Sequence, residues 1–179
     1  VSNSRCVEVS YPLAFVGDGL FGLKVFNVSN AAAPKLVGTY PAPGLSHVRR
    51  VAASGSRVVL TDGRLIQLVS VESPASPALL ATVTNVPGSF VFDIAAVGLE
   101  AYAACGNAGV RIYGLDNNLK LDSAYATPGP ATGVAYASNL LHVACGPYGW
   151  QTLSLEANPL SPALVKSSVS EPVFQVAAS

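Results

Sequence analysis

The chain has 179 residues, of which 50% are hydrophobic and only 11% are charged, and its formal net charge at pH 7 is 0. This balance argues against electrostatic capture of nucleic acid or of an anionic membrane, and no apolar run reaches the roughly 18 residues that a membrane span needs. Because soluble domains carry about 25% charged residues, the chain is predicted to bury part of its surface against other protein.

The first predicted elements, in chain order, are short strands on either side of a dipeptide that ends in glycine. Each dipeptide follows an apolar run and precedes a run in which apolar and polar residues alternate, which is typical of a strand. The dipeptides recur at intervals of 44, 43 and 40 residues, at Asp18-Gly19, Asp62-Gly63, Cys105-Gly106 and Cys145-Gly146. The alternating runs cover residues 22–30, 65–73, 109–117 and 149–157.

Two further predicted strands complete each repeat. One follows a polar or proline-containing turn, where proline is tolerated because the hydrogen-bond ladder has not yet begun, and it includes residues 34–37, 77–80, 119–121 and 162–165. The other is small and apolar and includes residues 51–54, 94–97, 134–137 and 176–179, with 7–10 in the same register one repeat earlier. Each repeat therefore predicts four short strands joined by turns rich in Gly, Pro, Asn and Ser.

Four-stranded units at a period of about 43 residues, without convincing helical periodicity, predict an all-β fold. We interpret it as a β-propeller-type repeat of four four-stranded blades, because the alanine-rich strand suits the crowded centre where blades converge. A single repeat domain, 1–179, then contains blades at about 5–40, 48–83, 90–125 and 130–169, and an extra inner strand at 172–179. A β-solenoid or a β-sandwich is the alternative, although a solenoid prefers shorter periods and a sandwich need not repeat.

The extra strand has no blade of its own, and an unpaired strand edge is a template for pairing with another chain. Three arrangements stay open: the chain belongs to a longer propeller, the strand closes a four-bladed ring, or it pairs with a neighbouring molecule. We predict an assembly strand that pairs with other copies of the chain or with other protein subunits, at Val173, Phe174, Gln175 and Val176. Such a head-to-tail contact produces filaments when it does not close.

No catalytic constellation is recognisable, so the sequence predicts no catalytic residue, no metal and no cofactor. Asp18, Asp62, Cys105 and Cys145 hold equivalent positions at which an ion could be bound. However, Asp-Gly after a strand is ordinary turn chemistry, and a buried cysteine packs as a small apolar residue. Cys105 and Cys145 lie in adjacent blades, beyond the separation that a disulfide allows.

One alternative is a propeller enzyme of lactonase-like type, in which Glu, Asn and Asp side chains from several blades hold a metal on the central axis. The inner strands offer only Glu8, Asp93 and Gln175 for that role. His47 and His142 stand in no recognisable relation to a nucleophile. The Trp-Asp and Gly-His signatures of WD-type interaction propellers are also absent from the sequence.

Residues 13–40 carry a motif that resembles the LVIVD-repeat family of β-propellers, and the later repeats resemble it more weakly. The matching residues are Asp18-Gly19, Gly22-Leu23, Val28-Ser29-Asn30 and 34–38, with Asn27 where the family usually has Asp. The resemblance implies a surface or secreted protein of bacterial or archaeal type. In that setting Asn27, which begins an Asn-x-Ser sequon, is a candidate for glycosylation. We therefore predict a non-catalytic binding or structural module in an extracellular or cell-surface assembly.

Overall fold

The computed structural model describes residues 4–85, 88–169 and 171–177. Within these ranges sixteen strands form four antiparallel sheets of four strands each, so the predicted all-β architecture is confirmed. Every sheet is made of strands that are consecutive in the chain and adjacent in space, and we call the sheets blades 1 to 4. The described residues contain no helix of the length and apolarity that a membrane crossing requires.

The strand bounds follow the repeat. Blade 1 contains β1 (Cys6–Ser10), β2 (Leu13–Gly17), β3 (Leu23–Asn27) and β4 (Lys35–Tyr40). Blade 2 contains β5 (Arg50–Ser54), β6 (Arg57–Thr61), β7 (Leu65–Ser70) and β8 (Ala78–Thr84). Blade 3 contains β9 (Asp93–Val97), β10 (Glu100–Ala104), β11 (Val110–Gly114) and β12 (Leu121–Tyr125). Blade 4 contains β13 (Gly133–Ala137), β14 (Leu140–Ala144), β15 (Trp150–Ser154) and β16 (Ala163–Ser168).

The blades repeat one another in residue register as well as in strand order. In each blade the third and fourth strands pair with a register shift at the same place, between Val25 and Phe26, Leu68 and Val69, Ile112 and Tyr113, and Thr152 and Leu153. A bulge of this kind bends the strand and increases its twist. Because the bulge recurs at one position, residues can be compared blade by blade without ambiguity of register.

The chain divides into two compact units, Val1–Asn85 with blades 1 and 2 and Val86–Ser179 with blades 3 and 4. In the first unit a buried cluster joins Phe15, Leu23 and Val25 of blade 1 to Val51 and Leu60 of blade 2. The first strands of the two blades, β1 and β5, are in contact, as are β9 and β13 in the second unit. Each unit is therefore held by apolar packing between the faces of successive blades.

The second unit is built in the same way. Its buried cluster joins Tyr102, Val110 and Ile112 of blade 3 to Val134 and Leu141 of blade 4. Asp93 adds a polar link, since its Oδ2 accepts a hydrogen bond from the backbone N–H of Val134 at 3.2 Å. The equivalence between the two clusters shows that one packing mode is used twice.

The extra strand predicted at 172–179 is not a regular strand in the structure. Its described part, 172–177, contains a single antiparallel bridge and no regular strand, and residues 178 and 179 lie outside the described residues. The bridge joins Val173 to Gly146, with the N–H of Val173 donating to the carbonyl of Gly146 at 2.8 Å. The first strand of every blade pairs with the second strand of that blade, and no described residue offers such a partner to this segment.

The segment nevertheless occupies the position of an inner strand. Two other bridges, Gly19 to Val48 and Gly106 to Ala131, mark the points where the chain enters the first strands of blades 2 and 4. Val173 holds the same position as Val48 and Ala131, through its bridge to Gly146. A Cβ placed on Gly133 of β13 would lie 3.1 Å from the Cα of Gln175, so the segment runs beside β13. We refer to residues 171–177 as the tail.

Candidate functional site

The turn after the second strand of blade 2 is stabilised by the side chain of Asp62. Its carboxylate accepts hydrogen bonds from the backbone N–H groups of Arg64 and Leu65, both at 2.8 Å. The N–H and the hydroxyl of Ser46 donate to its other oxygen, both at 3.0 Å. Burial by itself raises the pKa of Asp62, but these hydrogen bonds outweigh burial and hold the pKa below its ordinary value of 3.8.

The lowered pKa of Asp62 predicts a loss of stability in acid. A carboxylate with a lowered folded-state pKa contributes stability that is fully present above its unfolded value and is lost as the pH falls through the folded value. We therefore expect the free energy of unfolding to decrease below about pH 3.8, and Asp62→Asn to flatten that decrease. Urea denaturation between pH 2 and 7 measures both, with the exposed Asp116→Asn as the matched control. Equal acid dependence of the two variants would contradict the prediction.

The buried carboxylate of Asp18 is neutralised within blade 1. The hydroxyl of Ser4 donates to Oδ1 of Asp18 at 3.0 Å, and Oδ2 forms an ion pair with the ammonium group of Lys24. The Lys24 ammonium also lies 6.0 Å from the centroid of the Phe21 ring. A buried charge of this kind is stable only when it is paired. Both acidic residues of the repeated dipeptide thus have local structural roles.

The two cysteines at the equivalent positions are buried in the second unit. Cys105 and Cys145 are fully inaccessible, and none of the three cysteines forms a disulfide. Burial raises the pKa of Cys145 to about 11, so its thiol is protonated at neutral pH, whereas metals bind the thiolate. Among the described residues no group of three or more His, Cys, Asp or Glu side chains is placed to hold a metal ion.

The remaining residues considered from the sequence each have their own surroundings within their unit. Glu8 is half-buried in β1, and Gln175 is exposed in the tail. Nδ1 of His47 lies 3.1 Å from the Ser46 hydroxyl, and its Nε2 lies 3.4 Å from the Arg49 guanidinium.

Asn27, the predicted glycosylation residue, ends β3. It is half-buried, and its side-chain oxygen accepts a hydrogen bond from the backbone N–H of Ser29 at 2.9 Å. Glycosylation of Asn27 stays a prediction.

The structure draws attention to a surface that the sequence did not single out, the trailing face of blade 4. In blades 1 and 3 we call the side that packs against the following blade of the same unit the trailing face, and we use the same name for the equivalent side of the other blades. The leading face is the opposite side. The trailing face is formed by apolar, fully buried residues in blades 1 and 3, namely Phe15, Leu23 and Val25 and Tyr102, Val110 and Ile112. In blade 4 the same three positions hold His142, Trp150 and Thr152.

These three residues make a partly open and partly polar face. Nδ1 of His142 lies 2.9 Å from the Thr152 hydroxyl, while His142 and Trp150 remain half-buried. The ammonium group of Lys166 lies 5.8 Å from the centroid of the Trp150 ring. Between this face and the tail is a cavity of about 550 Å³, lined by Ala137, His142, Trp150, Thr152, Val173, Val176 and Ala177. Blade 4 thus ends in a cavity where blades 1 and 3 have a filled apolar contact.

The leading face of blade 1 is also apolar and uncovered. Val51 and Val134, the leading valines of blades 2 and 4, are 6% and 4% exposed, because each packs on the preceding blade of its unit. Val7 holds the same position in blade 1 and is 62% exposed. Around it, Val16, Phe26 and Val28 are half-buried, although their equivalents in blades 2 and 4 are fully or almost fully buried. This difference in burial comes from packing and cannot be inferred from residue type.

No family model matches the sequence, and no curated protein matches it either. Solved structures do match the fold. The computationally designed Ika8 protein is similar over 98% of this chain and 52% of its own, with a TM-score of 0.72 and 11% identity. The RRP9 WD40 repeats are similar over 91% and 51%, with a TM-score of 0.65 and 18% identity. Apo AztD from Citrobacter koseri is similar over 98% and 49%, with a TM-score of 0.72 and 15% identity.

At these identities the similarity concerns the fold alone, and it agrees with the blade architecture. The WD40 repeats share the arrangement of four-stranded antiparallel sheets, so the predicted β-propeller-type repeat is confirmed. The chain spans about half the length of each of the three matched structures. It is a β-propeller-type repeat protein whose four described blades include two with an uncovered apolar or partly apolar face.

Proposed function

We propose that this chain is a non-catalytic binding or structural β-propeller module that acts as a subunit of a protein assembly outside the cytoplasm. The observation that carries the proposal is the uncovered leading face of blade 1, where Val7 is 62% exposed and Val16, Phe26 and Val28 are half-buried, although the equivalent residues of blades 2 and 4 are buried. Exposed contiguous apolar surface on a folded domain marks a contact site. The function would be performed by complementary surfaces and strand edges, without chemistry.

The composition supports the same proposal. Only 11% of the residues are charged and the net charge is 0, so copies of the chain do not repel one another electrostatically. In the repeated turns, the carboxylates of Asp18 and Asp62 are engaged in an ion pair and in backbone hydrogen bonds, which supports a structural role for them. The location outside the cytoplasm rests on the resemblance of residues 13–40 to LVIVD repeats. Fractionation of the producing cells tests it, and recovery in the cytoplasmic fraction alone would contradict it.

Light scattering on the purified chain tests the assembly. We expect particles of at least twice the 18.3 kDa of one chain, because burial of an apolar face drives association. The fraction of protein in these particles should increase with protein concentration. Electron microscopy of the same sample distinguishes closed particles from filaments. A monodisperse particle of 18.3 kDa at all concentrations would contradict assembly from copies of this chain.

A further inference from the structure

We infer that the cavity on the trailing face of blade 4 is filled by blade 1 of a second copy of this chain, with the tail serving as that blade's inner strand. The inference rests on the assembly proposed above and specifies its partner and its contact. It follows from three observations: the residues that the cavity lacks, the residues that blade 1 exposes, and the sequence of the tail.

The first observation concerns what fills the equivalent space inside each unit. In the first unit the trailing face of blade 1 contacts Val48 and Val51, which lie at the entry to β5 and within it, and also Val58, Leu60 and Val69 of the second and third strands. On blade 4 the tail already supplies the inner-strand part of this set. Val173 takes the place of Val48 through its bridge to Gly146, and Val176 takes the place of Val51.

The cavity still lacks apolar side chains from a second and a third strand. Among the described residues, blade 1 has such side chains on its uncovered leading face. Val16 of β2, Phe26 of β3 and the adjacent Val28 stand at the positions of Leu60, Val69 and Val71, and are half-buried instead of buried. Their docking on Trp150, Val173 and Val176 would repeat the packing mode that both units use internally.

The tail matches the inner-strand pattern better than β1 does. Residues 173–179 are identical to residues 48–54 of blade 2 at five of seven positions, whereas residues 4–10 are identical at three of seven. Ser4 stands where the other inner strands begin with Val48 or Val173, so blade 1 lacks the apolar residue that seats an inner strand on the preceding blade. β1 also alternates between half-buried and exposed residues along its whole length.

The tail and β1 of the second copy cannot both take the inner-strand position, so one of them must leave. Replacement of β1 by the tail exchanges one antiparallel ladder on β2 for another, and the number of backbone hydrogen bonds stays nearly constant. The register of β1 on β2 pairs Val7 with Val16, so Val176 would pair with Val16 of the second copy. Association is then driven by the apolar surface that closes over the cavity.

The number of copies depends on whether the head-to-tail contact closes. A head-to-tail contact that closes after two copies gives a dimer with two identical interfaces, and one that does not close gives a filament. We assign the closed dimer, which is the smallest assembly in which every such interface is filled, at twice the mass of 18.3 kDa.

Two substitutions at equivalent positions test the strand exchange, because only one of them should weaken the dimer. Val176→Asp places a charge in the closed interface, and we expect it to weaken the dimer more than about tenfold in apparent Kd. Val7→Asp changes the strand that leaves, and we expect the apparent Kd to stay unchanged or to fall. Sedimentation equilibrium measures both, with Leu164→Asp on the exposed outer strand β16 as the matched control and circular dichroism to verify folding.

Each result supports or overturns the inference. Loss of the dimer in Val7→Asp with retention in Val176→Asp would mean that β1 stays in place, and the exchange would be wrong. Particles larger than one chain that neither substitution affects would overturn this interface and leave the assembly proposal intact. A wild-type protein that stays at 18.3 kDa would overturn both.

Discussion

Replacing Gly22 by alanine is expected to lower the free energy of unfolding by roughly 2–5 kcal/mol, the sum of a left-handed backbone penalty and a steric overlap. Gly22 has φ of +79° in the turn before β3, where residues with a Cβ are strained. A Cβ there would also overlap the carbonyl oxygen of Tyr40 and lie 2.7 Å from the carbonyl carbon of Pro41. Because both neighbours are backbone atoms at the end of β4, no side-chain rotation relieves the overlap.

Gly55→Ala is the matched control for that measurement. Gly55 also has a left-handed φ, +57°, but a Cβ there would have no atom within 4 Å, so only the backbone penalty of about 1–2 kcal/mol applies. Guanidinium denaturation of the two variants separates the steric part from the conformational part. Equal destabilisation would show that the strand β4 moves away freely from the turn, contrary to the expectation.

The second large effect is expected at Tyr102, which anchors the apolar cluster of the second unit. Its side chain is completely buried, and its hydroxyl donates a hydrogen bond to the backbone carbonyl of Pro159 at 3.1 Å. Burial raises the pKa of Tyr102, so the phenol stays protonated over the whole range in which the protein is handled. We expect Tyr102→Ala to cost about 3–5 kcal/mol of stability, because the cavity that it leaves lies between blades 3 and 4.

Tyr102→Phe divides this cost between packing and hydrogen bonding. Phenylalanine keeps the ring in the cluster and removes only the bond to Pro159, so a loss of about 1 kcal/mol is expected. Thermal and chemical denaturation of the two variants provide the comparison. A Phe variant as unstable as the Ala variant would place the main contribution of Tyr102 in its hydroxyl group, and the packing argument would be wrong.

The strands were predictable from the sequence because their signals are local. Alternation and turn residues placed a second strand before Asp18 and a third after Gly22, and the structure has them as Leu13–Gly17 and Leu23–Asn27. There are two differences. The fourth strand of blade 3, predicted from residue 119, begins at Leu121, because Asn118 and Leu119 adopt a positive φ in the turn before it. The other difference is at the C-terminus. The tail has the residues of an inner strand but forms only the bridge at Val173, since a strand exists only where another strand supplies its partner.

The candidate surface was less accessible to sequence reasoning. The cross-strand pairs Phe15–Val25 of blade 1 and Tyr102–Ile112 of blade 3 are apolar, whereas blade 4 has His142 and Thr152 at the same positions. This change is visible once the repeats are aligned, but it was not used to predict a surface. The exposure of Val7 leaves no such trace, because Val7 has the same residue type as the buried Val51. Whether a valine is covered depends on the presence of a neighbouring blade.

The sequence by itself determined the period, the four strands of each repeat and the turns that join them, because these depend on contacts between residues close in the chain. Only the tertiary structure decided which faces are filled. The same apolar position is closed at Val134 and open at Val7, and the same trailing position is buried at Tyr102 and borders a cavity at His142. The physical reason is that apolar burial between blades is a property of pairs of faces, and a repeated sequence encodes each face without encoding its partner.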